Sequence, residues 1–198
     1  MVQKIKEEFK AGIINKPQFI DAMYGQHQLL FEYTSLLQKV DISSIEITGE
    51  GVVFTTKNEG IKFLCKKADK RTAPFEILNF GEYESGDADL LYRLISNGDT
   101  IFDIGANIGA HTLLLAQLVG PQGRVLSFEP TEFAFLKQKK NLALNPNLAA
   151  RVQPFQCLLA SQDDAPLPTT LYSSWPLTKP TNVHAKHLGE DFPVWRLG

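Results

Sequence analysis

Positive charge has no excess in this 198-residue chain: 20 lysines and arginines stand against 22 acids, for a formal net charge of -2. Without a basic surplus there is no global electrostatic case for binding nucleic acid or an anionic membrane surface. The densest basic spot, Lys137-Gln138-Lys139-Lys140, falls on an expected helix and reads as a solvated face. Cysteine is scarce. Cys65 and Cys157 lie far apart and offer neither a CxxC pair nor a disulfide framework. Both sit in apolar runs, so buried, reduced thiols are expected. No apolar run approaches the roughly 20 residues needed to span a bilayer. The opening stretch, MVQKIKEEFKAG, lacks the apolar core of a signal peptide. The expected location is the cytoplasm. The chain also shows no internal repeat and no low-complexity segment.

What is present falls into three textures. Residues 1–40 read as helical, with Pro17 as the first residue of a helix running through Val40 and Gly25 as its weak point. From about residue 43, the runs SIEIT, GVVFTT, IKFLC and FEILNF read as short strands, the first three punctuated by GEG and NEG, and together suggest an antiparallel meander. SGDADLLYRLISNG then reads as a helix, with Ser85 or Asp87 as N-cap and Gly98 just past its end. Residues 1–98 are thus expected to form a helical and β-meander extension with a lead-in helix. From residue 99, TIFDIG, RVLSFE and VQPFQCLLA read as compact strands separated by the helical stretches AHTLLLAQLV and EFAFLKQKKNLALN. Alternation of this kind implies an α/β segment with parallel strands over 99–161. Pro154 cannot donate to a ladder, which puts the third strand at an edge and predicts the order third, second, first. Residues 162–198 read as an irregular, proline-containing tail.

The turn FDIGANIG, residues 102–109, carries the chemistry. A parallel strand ending at a glycine turn before a helix start is a ligand site by geometry. Gly105 and Gly109 permit unusual backbone angles and close approach of a ligand, and the helix start offers unpaired N–H groups to an anion. Glu129 ends the second strand, where a carboxylate can accept hydrogen bonds from ribose hydroxyls. These features call for an adenosine-containing cofactor. The dinucleotide fingerprint G-x-G-x-x-G matches poorly, since Gly105, Asn107 and Ala110 occupy its glycine positions. Asp103 would repel a pyrophosphate but suits a ligand bearing an ammonium and a sulfonium, which favours S-adenosylmethionine over NAD.

The stretch NGDTIFDIGANIGAHTLLLAQLVGPQGRVLSFEPTEFAFLKQKKNLALN resembles the core of the FkbM family of class I S-adenosylmethionine-dependent methyltransferases. The resemblance rests on DIGANIG, on GRVLSFEP with Glu129-Pro130, on Asn141 and Asn145, and on the upstream FGEYE with Tyr83 and Glu84. It implies a Rossmann-like fold and methyl transfer to a hydroxyl of a glycan or secondary metabolite. Carried over, Asp103, Gly105, Ala106, Asn107 and Gly109 form the methionine-side loop. Glu129, followed by Pro130, binds ribose, and Ala160 and Ser161 lie near adenine. Tyr83 and Glu84 either roof the cofactor or cap the following helix. His111, just inside the helix, either packs there or serves as a general base. The His184/His187 pair lacks an acidic partner pattern for a metal, and Trp175 and Trp195 read as packing anchors.

The chain departs from the family where a fourth strand of the type IKxDVEGxE would follow. The expectation is therefore an incomplete sheet with a bare apolar edge at 101–105, belonging to a truncated chain, a fragment, or a chain completed by a partner that covers the edge. Two rival readings stand beside the methyltransferase. One is a nicotinamide-dependent oxidoreductase, and the other is a non-catalytic cofactor-binding or assembly module.

Overall fold

The computed structural model describes residues 1–67, 69 and 72–160, and the backbone of three short strands at 170–172, 185–187 and 194–196. Helices α1 (Val2–Lys10), α2 (Lys16–His27) and α3 (Leu29–Lys39) form the N-terminal arm. Pro17 stands in the first turn of α2, where its missing N–H costs nothing. Asn15 and Gln18 close a reciprocal capping box, with bonds of 3.0 and 2.9 Å. The single long helix expected from Pro17 is instead two helices, parted at Gln28. Neither buries a residue fully, and they pack on different partners, α2 through Phe19 on Phe9 and α3 through Leu36 and Leu37 on the meander core, so no shared face enforces continuity.

Strands β1 (Ile42–Ile47), β2 (Val52–Thr56) and β3 (Lys62–Cys65) form the antiparallel meander in that order. The fourth run, FEILNF, is not a strand but lies in helix α4 (Ala73–Phe80). Short apolar runs fit either period. Here Pro74 begins the helix, Ile77 and Leu78 pack against Val40, Ile42, Phe54 and Cys65, and Gly81 ends it at φ +98°. Helix α5 (Ser85–Leu94) follows, with Glu84 in the cap position instead of Ser85 or Asp87, and it stops short of Gly98.

The α/β segment comprises β4 (Thr100–Ile104), α6 (Ala110–Leu118), β5 (Arg124–Phe128), α7 (Glu132–Leu144), α8 (Pro146–Ala149) and β6 (Val152–Phe155). All three strands are parallel, in the order β4-β5-β6. Pro154 sits on the outer strand, as its chemistry requires. The third apolar run divides, because β7 (Leu158–Ala160) leaves this sheet and pairs in parallel with β10 (Val194–Arg196). Strands β8 (Thr170–Tyr172) and β9 (Ala185–His187) pair antiparallel, so the tail holds regular elements that periodicity did not reveal. At the other side of the sheet, β4 has one strand neighbour among the described residues. Phe102 and Ile104 on it are 55% and 64% exposed, the bare edge expected from the sequence. No helix among the described residues is long and apolar enough to cross a membrane, and both cysteines are buried and unpaired.

Helix α6 is the centre of the core. Its five residues Thr112–Ala116 are all buried, and its leucines share one cluster with Ile61 and Phe63 of the meander and Val125 of β5. The joint is completed by α7. Asn141 Oδ1 accepts from Leu64 N (2.9 Å), Asn145 Oδ1 accepts from Lys62 N (2.9 Å), and Asn145 Nδ2 donates to Lys62 O (2.8 Å). Two side-chain amides thus serve β3 as a further strand would, satisfying an edge that would otherwise be open. The basic run on α7 is not a uniformly solvated face. Lys137 (9% exposed) pairs with buried Asp69, and Gln138 is fully buried. Position within the turn decides this, because 134, 138, 141, 142 and 145 lie on the helix face turned inward.

Replacing Asn141 by alanine strips the Leu64 amide and the Ile108 carbonyl of their partner. The expected loss is roughly 1–3 kcal/mol in urea unfolding, with faster hydrogen exchange at Leu64 than at Val53.

Candidate functional site

The loop between β4 and α6 takes positive φ at alternate residues: Gly105 (+83°), Asn107 (+51°) and Gly109 (+85°). Asparagine is among the few side chains that tolerate this region, which explains its place between the glycines. The two glycines differ in purpose. A Cβ on Gly109 would lie 2.8 Å from Gln138 Cγ, so this glycine lets α7 approach the loop. A Cβ on Gly105 would meet nothing within 4 Å, so the space above it is open to a ligand. Amides of the loop are largely committed: Gly105 N and Ala106 N donate to Phe128 O, and Gly109 N donates to Ala106 O. The first amides of α6, beginning at Ala110, have no carbonyl of their own helix to bond, and Ala110 and His111 line the space beside the turn.

Asp103 and Glu129 come together across the paired strands β4 and β5, but in different states. Glu129 is 6% exposed. Its Oε2 accepts from Asn107 N (2.8 Å), while its Oε1 accepts from both the amide (2.9 Å) and the hydroxyl of Thr131. The carboxylate therefore braces the two strand-end loops and retains little spare acceptor capacity, on Oε2. Asp103 accepts from Thr112 Oγ1 at 2.5 Å, and Gln138 Nε2 in turn donates to that hydroxyl at 3.0 Å. Burial lifts the Asp103 carboxyl above the ordinary aspartate range. The Thr112 bond and nearby His111 pull it back, and Glu129 adds a smaller upward push.

Opposite the loop stand Tyr83 and Glu84. Glu84 holds a left-handed backbone, φ +44°, an uncommon conformation for a residue with a side chain. It is thereby placed with Oε2 3.2 Å from His111 Nε2, without the alignment of a hydrogen bond. The Tyr83 and His111 rings lie 5.7 Å apart. Burial first, then Glu84, pushes the Tyr83 phenol far up, so it stays protonated.

These groups enclose a cavity of about 150 Å³ lined by Asp103, Gly105, Asn107, Glu76, Glu84 and His111, among others. A second cavity of about 450 Å³ adjoins it, and Ala73, Tyr83, Ala110 and His111 are common to both walls.

Of the residues expected at the site, Asp103, Gly105, Ala106, Asn107, Tyr83, Glu84 and His111 line the smaller cavity. Gly109 shapes the loop from behind. Glu129 lines neither cavity, and Pro130 follows it half-buried. Ala160 ends β7, and Ser161 lies outside the described residues, as do Trp175 and His184. Sequence reasoning missed Thr112, Thr131, Gln138 and Glu76. Gln138 and Asn141 had a signal, being polar at helical spacing beside Asn145; Glu76 had none, because its run reads as a strand.

No family model matches the chain. A curated relative, the methyltransferase sdnD of Sordaria araneosa, is 38% identical over 76 residues, covering 38% of this chain and 28% of that protein. The chain thus spans little more than a quarter of the length of this curated relative. Among solved structures, a SAM-dependent O-methyltransferase from Thermotoga maritima matches at 22% identity. It covers 57% of this chain and 48% of its own, with a TM-score of 0.35. A SAM-dependent methyltransferase from Aquifex aeolicus matches at 17% identity over 44% of this chain and 43% of its own, with a TM-score of 0.33. By its own strand order, register and loop position, segment 99–155 is a Rossmann-like α/β unit of three parallel strands.

Two measurements check this geometry. Gly109→Ala should destabilise the chain by roughly 1–3 kcal/mol, since φ strain and the Gln138 contact act together; Gly105→Ala, with strain alone, should lose less in the same urea titration. Asp103 binds its proton more tightly folded than unfolded. Its contribution is therefore full below the unfolded value and is lost as pH rises through the raised folded value. Asp103→Asn keeps an acceptor for Thr112, so it should raise the urea midpoint at pH 7, and the gain should vanish below about pH 4.

Proposed function

We propose that the chain is the cofactor-binding part of an S-adenosylmethionine-dependent methyltransferase of the FkbM type, acting on a hydroxyl of a small molecule or glycan in the cytoplasm. One observation carries this reading. The cavity at the strand tip is walled by three carboxylates, Asp103, Glu76 and Glu84, with no lysine or arginine among its described lining residues. Such a wall opposes the pyrophosphate of a dinucleotide and favours a ligand bearing an ammonium and a sulfonium. The 38% identity to a curated methyltransferase supports the same class, and two unpaired cysteines are consistent with a reducing compartment.

In this reading Asp103 receives the ligand's ammonium, oriented by Thr112 and Gln138. The open space over Gly105 admits the ligand's backbone-side atoms, and the α6 amides take its carboxylate. Glu129 fixes the loop through Asn107 and offers its remaining acceptor site on Oε2 to a ribose hydroxyl. Pro130, just past the end of β5, borders the adenine. Held by these residues, the cofactor would supply an electrophilic methyl group for transfer to an acceptor oxygen. His111, common to both cavities, would take the acceptor's proton. The remaining work is alignment and exclusion of water, which Tyr83 serves as a roof. Exposed Phe102 and Ile104 on β4 favour a covering segment or partner at that edge.

Calorimetric titration with S-adenosylhomocysteine and with NADH tests the class. Saturable heat with the first alone is expected, and saturation by NADH alone would overturn the proposal. Glu129→Ala should weaken S-adenosylhomocysteine by roughly 1–3 kcal/mol.

A further inference from the structure

The larger cavity lies between the meander and the helix layer. It is floored by apolar side chains, Ile61, Phe63, Ile77 and Leu114, and fringed by carboxylates, Asp41, Glu59, Glu82 and Asp89. An apolar floor with a few convergent polar groups, at about 450 Å³, is the form and size of a small-molecule site. We infer that this cavity is the acceptor site and that it selects a hydroxyl-bearing acceptor that also carries a positive charge, such as an aminosugar. The inference rests on the methyltransferase reading.

Position is the first ground. Tyr83 and His111 form a wall common to this cavity and to the one over Gly105, so an occupant here would stand directly beside the bound cofactor. Polarity is the second. No lysine or arginine is among the described lining residues. The Nζ of Lys57, beside the lining residues Thr56 and Asn58, is committed to Leu37 O and Val40 O at 2.5 and 2.6 Å. The carboxylates are also held as acceptors. Tyr92 donates its hydroxyl to Glu59 Oε1 at 2.7 Å, with its phenol pushed up to about 12 by burial and by Glu59. Asp41 Oδ1 takes the amides of Lys57 and Asn58, both at 3.1 Å, and leaves Oδ2 uncommitted. A ring of acceptors without lysine or arginine binds hydroxyls and ammonium groups and repels anions.

Glucosamine, glucose and glucuronate, titrated at low ionic strength into the full chain saturated with S-adenosylhomocysteine, test the inference. Methyl chemical-shift changes at Ile61 and Leu114 locate the binding. Glucosamine should bind most tightly, glucose more weakly and glucuronate not at all, and added salt should weaken only glucosamine. Glu59→Gln should weaken glucosamine roughly two- to fivefold. Asp89 is exposed, so Asp89→Arg should fold; it should weaken glucosamine further and admit glucuronate. Absence of S-adenosylhomocysteine binding overturns the methyltransferase reading. If that ligand binds, the inference alone is overturned by no saturable glucosamine binding, by equal or tighter glucuronate, or by an unchanged Asp89→Arg preference.

Discussion

Two side-chain amides on one helix hold this molecule in the form that matters. Asn141 and Asn145 carry the meander's last strand on α7, and Asn141 also reaches the carbonyl of Ile108 in the glycine loop between β4 and α6. Meander, loop and helix layer are thereby tied at one point. Both cavities depend on that tie, because each has a wall from the N-terminal part and a wall from α6. Hydrophobic burial around Leu113 and Phe63 supplies the bulk of the cohesion. Burial is non-directional, however, and the amide ladder is what sets the register between the two parts.

The second constraint is electrostatic. Two acids end neighbouring strands, yet they live differently. Glu129 is satisfied by three donors and acts as a brace. Asp103 has one hydroxyl donor and a raised affinity for its proton, and it lines the smaller cavity. A carboxylate left short of donors in a partly desolvated place costs the fold stability when ionised and attracts positive charge. Around it the lining residues repeat the same sign, and the one basic group described there, His111, sits against Glu84.

Much of the α/β half was legible in the sequence. The strand–helix alternation, the outward place of Pro154, the bare edge at Phe102 and the glycine turn with its acid all follow from local chemistry: periodicity, a missing N–H and positive φ. The FEILNF run was not legible, since six apolar-rich residues satisfy both periods, and a helix forms because Ile77 and Leu78 find Phe54 and Cys65. Nor was Lys137 legible as a buried ion, because its partner Asp69 lies distant in the chain.

By itself the sequence determined which backbone could turn at Gly105, Asn107 and Gly109, and which sign of charge would stand beside that turn. Tertiary structure alone decided what those groups enclose. Glu129 became a brace for two loops, with acceptor capacity left only on Oε2, because folding brings Asn107 and Thr131 onto its oxygens. The larger cavity exists only because α6 faces a meander formed some 50 residues earlier in the chain. Local pattern governs torsion and polarity. The meeting of distant surfaces depends on packing, which no short window of residues contains.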